Sequence, residues 1–143
     1  MTTKEPLIAV VDDESALRVM LGRVLRLAHY QVAAFESGEE FLDSLNSRIP
    51  ACAILDIHMP GLSGFEVQSR LHAVHLRIPV IFITASDDGA LDHLGRDPGA
   101  ARLLHKPFSS DTLLQAVSDA LAQGSAQDRY EALGHQDVKV ERP

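Results

Sequence analysis

The sequence holds a single cysteine, so the chain has no internal partner for a disulfide. Cys52 lies in the apolar run Ala51-Cys52-Ala53-Ile54-Leu55, where a thiol serves as a small hydrophobe. No leading basic and apolar signal segment is present, and no apolar stretch is long enough to span a bilayer. These absences predict a cytoplasmic protein without membrane association. Basic charge is scarce: 13 lysines and arginines stand against 20 acidic residues, a formal net charge of −7. Nucleic-acid binding draws its affinity from cations facing phosphates, so direct binding of DNA or RNA is not expected and a protein partner is. Glycine is far too sparse for a collagen-like chain, and 45% apolar residues with 23% charged ones exclude extended disorder. At 143 residues there is room for one core and little room for a second domain.

What the chain does have is alternation. Leu7 to Val11 is a continuous apolar run, the pattern of a strand buried on both faces, and it stops at Asp12-Asp13. From Ser15 the period turns helical, with Leu17, Met20, Leu21, Val24, Leu25 and Ala28 on one face. Gln31 to Ala34 reads as a second strand. Ser37 opens a helix with Glu40 three residues on, as a capping box requires. Ala51 to Leu55 is a third strand, stopped by Asp56. After the Met59-Pro60-Gly61 turn, Ser63 and Glu66 form another capping box for a helix from Gly64 to about His75. Val80 to Ile83 is a fourth strand, closed by Thr84. Asp88 to Arg96 is expected as a short helix, and Ala101 to Leu104 as a fifth strand. Ser109 or Ser110 caps a last helix that Gly124 and Ser125 are expected to end. Residues 5–123 are therefore taken as the domain, and 124–143 as a polar tail or linker with at most one short helix near Asp128 to Leu133.

Strands alternating with helices in this way imply a parallel sheet with right-handed crossovers and helices on both faces. In such α/β folds ligands bind beyond the carboxyl ends of the strands. The polar residues fall there: Asp12 and Asp13 after the first strand, Asp56 after the third, Thr84 after the fourth, and Lys106 just past the fifth. Lys106 is the only lysine between Lys4 and Lys139. Each has a plainer reading in isolation, since Asp12 or Asp13 could cap a helix, Thr84 could serve a turn, and Lys106 could be a solvated charge.

Val11-Asp12-Asp13, Ile54-Leu55-Asp56-Ile57-His58-Met59-Pro60-Gly61, Phe82-Ile83-Thr84-Ala85 and Lys106-Pro107-Phe108 occur in an order and spacing that resembles the response-regulator receiver domains of two-component signalling. The resemblance runs from Leu7 to Ala122. The segment Ala34 to Leu42 is most similar to receivers that precede helix-turn-helix output domains of the LuxR type. It implies a doubly wound, flavodoxin-like fold with five strands in the order 2-1-3-4-5. It further implies a phosphoacceptor role for Asp56 and supporting roles for Thr84 and Lys106. The implied cofactor is Mg²⁺, held by Asp13, Asp56 and the backbone carbonyl of His58, with Asp12 acting through water. Three carboxylates in one pocket repel one another, and a hard divalent cation among oxygen donors relieves that.

By the same resemblance the chain is a signalling module and not an enzyme. Its implied partners are a sensor histidine kinase or phosphotransfer protein, a downstream target protein, and a second copy of itself on phosphorylation. The alternatives are the receiver half of a longer DNA-binding regulator and a small Mg²⁺-dependent aspartyl-phosphate phosphatase. The second is disfavoured because such phosphatases carry an aspartate where this chain has His58. The side chain of His58, with Ser86, is expected either to tune the lifetime of the phosphoryl group or to be plain surface. His72 and His75 lack the spacing and companions of a zinc site. One departure from the pattern stands out, because receivers commonly carry an aromatic ring three residues before the lysine, and here that position is Leu103. Pro98 between Gly95 and Gly99 is expected to loosen the segment before the fifth strand, and switching is expected to pass through a rearrangement there.

Overall fold

The computed structural model describes residues 5–85 and 100–134. Five strands form one parallel sheet in the order β2-β1-β3-β4-β5: β1 Leu7–Val11, β2 Gln31–Phe35, β3 Cys52–Asp56, β4 Val80–Thr84 and β5 Ala100–His105. The helices are α1 Ser15–Leu27, α2 Gly38–Ser44, α3 Gly64–Ala73 and α4 Ser110–Gly134. The expected doubly wound architecture is therefore present. Among the described residues no helix is long and apolar enough to cross a membrane.

The apolar runs become strands because the sheet is covered on both sides. β3 and β4 are buried at every position, and β1 at all but its first. Successive side chains point to opposite faces, which divides the core in two. Ala9, Val11, Ala53, Leu55, Val80 and Phe82 pack under α2 and α3 through Phe41, Leu45, Val67 and Leu71. Ile8, Val10, Ile54, Ile81 and Ile83 pack under α1 and α4 through Leu21, Leu25, Leu113 and Val117. Each fully buried aliphatic side chain contributes about 1.5–3 kcal/mol, so these two layers dominate the stability. Cys52 belongs to the second layer, and burial pushes its thiol up to about 12, which leaves it an inert hydrophobe.

Helix ends explain most differences from the sequence reading. The Ser63–Glu66 capping box is complete, with each side chain accepting from the other's backbone N–H. At α2 only half of it forms. Ser37 Oγ accepts from Glu40 N, whereas the Glu40 carboxylate accepts from Glu36 N one residue earlier. Ser109, not Ser110, caps α4, accepting from Thr112 N.

α3 stops at Ala73, short of His75, because His75 turns left-handed with φ of 61°. His29 does the same after α1, with φ of 71°. Both close a double hydrogen-bonded C-terminal turn: His29 N to Arg26 O with Tyr30 N to Leu25 O, and His75 N to His72 O with Leu76 N to Leu71 O. The last helix shows the opposite departure. It does not stop at Gly124 and Ser125 but runs on to Gly134. Gly124 is a contact residue, since a Cβ there would stand 2.7 Å from Pro79 Cγ. One glycine costs a helix only about 1 kcal/mol, which the packed turns before it offset. The segment Asp88 to Arg96, Ser86, and the Gly95 to Gly99 stretch lie outside the described residues.

Candidate functional site

The register of the sheet sets the site. Val11 pairs with Leu55 and Asp56 with Ile83, so β1, β3 and β4 finish nearly level at one rim. Asp12 follows β1 directly and is fully buried. Its Oδ1 accepts from Glu14 N at 2.8 Å, so part of its carboxylate serves the start of α1, as the plainer reading has it. Its Oδ2 is buried and accepts no hydrogen bond. A buried carboxylate oxygen left in that state costs on the order of 1–3 kcal/mol unless a cation faces it.

Lys106 is that cation. Its Nζ stands 3.5 Å from Asp12 Oδ2 and 3.6 Å from Asp56 Oδ2, with the lysine side chain 23% exposed. Both distances exceed a charge-assisted hydrogen bond of about 2.8 Å, so the ammonium bridges the two carboxylates without closing on either. It reaches them because Lys106 N donates to Thr84 O at 2.8 Å, holding the residue after β5 beside the end of β4. The Lys106–Pro107 peptide is cis.

Asp56 ends β3 and is 5% exposed. Burial, and then the negative charge of Asp12, push its carboxyl up from an ordinary 3.8 to about 6, against the opposing pull of Lys106 and of the His58 N–H. That N–H donates to Asp56 Oδ1 at 3.3 Å. Gly64 gives the end of β3 its room, because a Cβ there would stand 2.7 Å from the Asp56 carbonyl oxygen.

Asp13 is exposed, and one oxygen from each of Asp12, Asp13 and Asp56 lies within 4.8 Å of the others. This is an all-oxygen donor set, and one buried atom in it, Asp12 Oδ2, accepts no hydrogen bond. It fits a hard divalent cation of the Mg²⁺ type. Thr84 is buried at the end of β4, next to this cluster along the rim. His58 takes part through its backbone, and the residue as a whole is exposed. His72 and His75 are exposed on the far end of α3 and the turn beyond it. Leu103 is partly buried against the α2/α3 layer.

The sequence reading passed over one residue, Arg18. Its Nη1 donates to the Asp12 carbonyl oxygen at 2.6 Å, and its Nη2 lies 3.8 Å from Glu36 Oε2. Helical periodicity places it on the polar face of α1, and only its position in the first turn of the helix that follows the acidic pair hinted at more.

Residues 8–118 match the family model of the response regulator receiver domain. Among curated proteins the chain is 34% identical over 138 residues to the transcriptional regulatory protein FixJ of Bradyrhizobium diazoefficiens, covering 96% of this chain and 66% of that one. It is 36% identical over 111 residues to nodulation protein W of the same organism, covering 78% and 49%. The chain thus spans between about half and two thirds of the length of these curated relatives. Among solved structures it is similar to the response regulator StyR, with a TM-score of 0.77 at 34% identity over 92% of this chain and 67% of that one. A response regulator receiver protein from Burkholderia phymatum gives a TM-score of 0.73 at 39% identity, covering 82% and 96%.

Proposed function

The chain belongs to the response regulator receiver domains, and from that membership we propose that Asp56 is its phosphoacceptor and that Asp12, Asp13, Thr84, Lys106 and the backbone at His58 serve the transfer. Receiver domains are signalling modules that work with histidine kinases or phosphotransfer proteins, and phosphoacceptor signalling is the function the family carries. The observation that supports the residue assignment most is the placement of Lys106 Nζ within 3.6 Å of both Asp12 and Asp56. A cation shared by two buried carboxylates from different strands has little structural economy, since packed apolar residues would stabilise as well.

In this reading an Asp56 oxygen attacks the phosphorus of a phosphohistidine or a small acyl phosphate. A new O–P bond forms as the P–N or P–O bond to the donor breaks, and the donor's imidazole or carboxylate leaves. Lys106 turns from the carboxylates to the arriving oxygens, and the Thr84 hydroxyl donates to one of them. Asp13, Asp56 and the His58 carbonyl would hold Mg²⁺, with Asp12 acting through water. When bound, the ion neutralises charge on the transferring group. Residues 5–123 form the working unit. The partners are a sensor histidine kinase or phosphotransfer protein on one side and a target protein on the other.

A second reading, the receiver half of a longer DNA-binding regulator, draws support from relatives named as transcriptional regulators of which this chain covers only part. The reading frame beyond Pro143 separates the two. The test of the shared chemistry is incubation with acetyl phosphate or phosphoramidate and Mg²⁺, read by intact mass. One phosphoryl group should add, and should be lost in Asp56→Asn and on chelation. No addition to the unaltered chain under any condition overturns the reading.

A further inference from the structure

Arg18 lies on α1 with its side chain only 18% exposed. Its two guanidinium nitrogens point to different elements: one donates to the Asp12 carbonyl oxygen at 2.6 Å, and the other stands 3.8 Å from Glu36, just past β2. The Asp12 backbone is held from the other side too, where its N–H donates to Phe35 O at 3.1 Å. The carbonyl that Arg18 grips belongs to the peptide unit joining Asp12 to Asp13. Because that unit is planar, its orientation also sets the nitrogen and Cα of Asp13.

Asp13 depends on this. Its residue is exposed, and among the described residues no hydrogen bond or ion pair reaches its carboxylate. No side-chain partner holds the oxygen it contributes within 4.8 Å of Asp12 and Asp56, so the main chain at Asp13 is the fixed point from which that carboxylate reaches the cluster. We infer that Arg18 is a positioning residue for the cation site, fixing the Asp12–Asp13 peptide so that the Asp13 carboxylate faces the ion. This rests on the assignment of Asp13 as a ligand made above. The guanidinium fork suits the task, since two nitrogens held in one rigid plane face the carbonyl and Glu36 separately, a geometry the single nitrogen of an ammonium does not reproduce. Glu36 has its own part. By engaging the second nitrogen it keeps the guanidinium on the carbonyl and away from the ligand carboxylates.

Calorimetric titration of MgCl₂ into the metal-free 143-residue chain tests this. Removing a group that orients a ligand weakens metal binding about 10–100-fold, and Arg18→Gln is expected near the lower figure. Arg18→Lys should recover only part of the loss, and it carries the test if the glutamine variant does not fold. With acetyl phosphate as donor, the rate of phosphoryl addition in Arg18→Gln should return to the wild-type value at saturating Mg²⁺. The contact acts on how the ion is held and not on the transfer itself. A purely architectural role would lower the melting midpoint and leave Mg²⁺ affinity unchanged. Wild-type affinity in Arg18→Gln alongside lost affinity in Asp13→Asn overturns the inference. Wild-type affinity in Asp13→Asn overturns the ligand assignment beneath it.

Discussion

Gly64 sits against the backbone of Asp56 so closely that a Cβ on it would stand 2.7 Å from the Asp56 carbonyl oxygen and 3.1 Å from Ile57 Cα. The obstacle is main chain, which cannot swing aside, and Gly64 N also donates to Ile57 O at 3.0 Å. The first turn of α3 therefore abuts the strand end that carries the proposed phosphoacceptor.

Gly64→Ala should destabilise the chain by about 1–3 kcal/mol, the usual cost of forcing an extra carbon into a packed site. It should also slow phosphoryl addition to Asp56. Gly22→Ala is the control, because its nearest obstacle is the mobile end of Arg26, with Nη1 at 2.9 Å. There the gain in helix propensity, up to about 1 kcal/mol, should leave stability unchanged or raised. Urea unfolding of the two variants side by side decides it, and equal losses would show that the close approach at Gly64 does not constrain the strand.

Ionisation of Asp56 should make the metal-free chain less stable as pH rises. Its folded value is raised, from 3.8 to about 6. Below about pH 4 the carboxyl is neutral in both folded and unfolded chains and adds no difference. Between about pH 4 and pH 6 the folded chain still holds a proton that the unfolded chain has released, so stability falls with pH, by on the order of 2–3 kcal/mol in all. Above pH 6 the full penalty remains. Subtracting the profile of Asp56→Asn should isolate this slope, and excess MgCl₂, which favours the ionised carboxylate, should reduce the fall between about pH 4 and pH 6. A difference profile that rises with pH would contradict the buried, acid-flanked setting.

Lys106→Ala should leave Asp12 Oδ2 without the cation that stands 3.5 Å from it. Since the lysine is partly solvated, a loss of about 1–3 kcal/mol is expected in metal-free buffer near pH 7. The part owed to the Asp56 contact should disappear near pH 5, where Asp56 is protonated and the site holds one negative charge fewer. Chemical denaturation at the two pH values measures this, and a loss independent of pH would point to packing of the lysine stem as its source.

The two left-handed histidines offer a test remote from the site. A non-glycine residue in that conformation costs about 1–2 kcal/mol, and glycine escapes most of it. His29→Gly and His75→Gly should each raise stability by about 0.5–1 kcal/mol, less than the full strain because glycine is freer in the unfolded chain. Their helices cover opposite faces of the sheet, so the double variant should show the sum. Thermal unfolding of the three variants is sufficient, and a loss in either single variant would mean that the histidine side chain contributes more than its backbone strain costs.

The strands were legible because a strand covered on both faces must be apolar throughout, as Leu7 to Val11 and Val80 to Ile83 are. The site was legible for the complementary reason, that Asp12, Asp13, Asp56, Thr84 and Lys106 interrupt those runs at the same end. What escaped depends on contacts distant in sequence. Gly124 looked like a helix stop because its neighbour Pro79 is invisible to local pattern. His75 looked helical because periodicity does not register a left-handed turn. Arg18 looked like one more polar residue of an amphipathic helix, since nothing local shows that a carbonyl six residues back needs a donor.

The shared register of β1, β3 and β4 makes strand length a ruler for the chemistry. One residue inserted in β3 would advance Asp56 by about 3.3 Å and flip it to the opposite side of the sheet. Loops at the far edge bear no such metric. Descendants of this sequence can therefore lengthen or shorten them freely while the three strands keep their count.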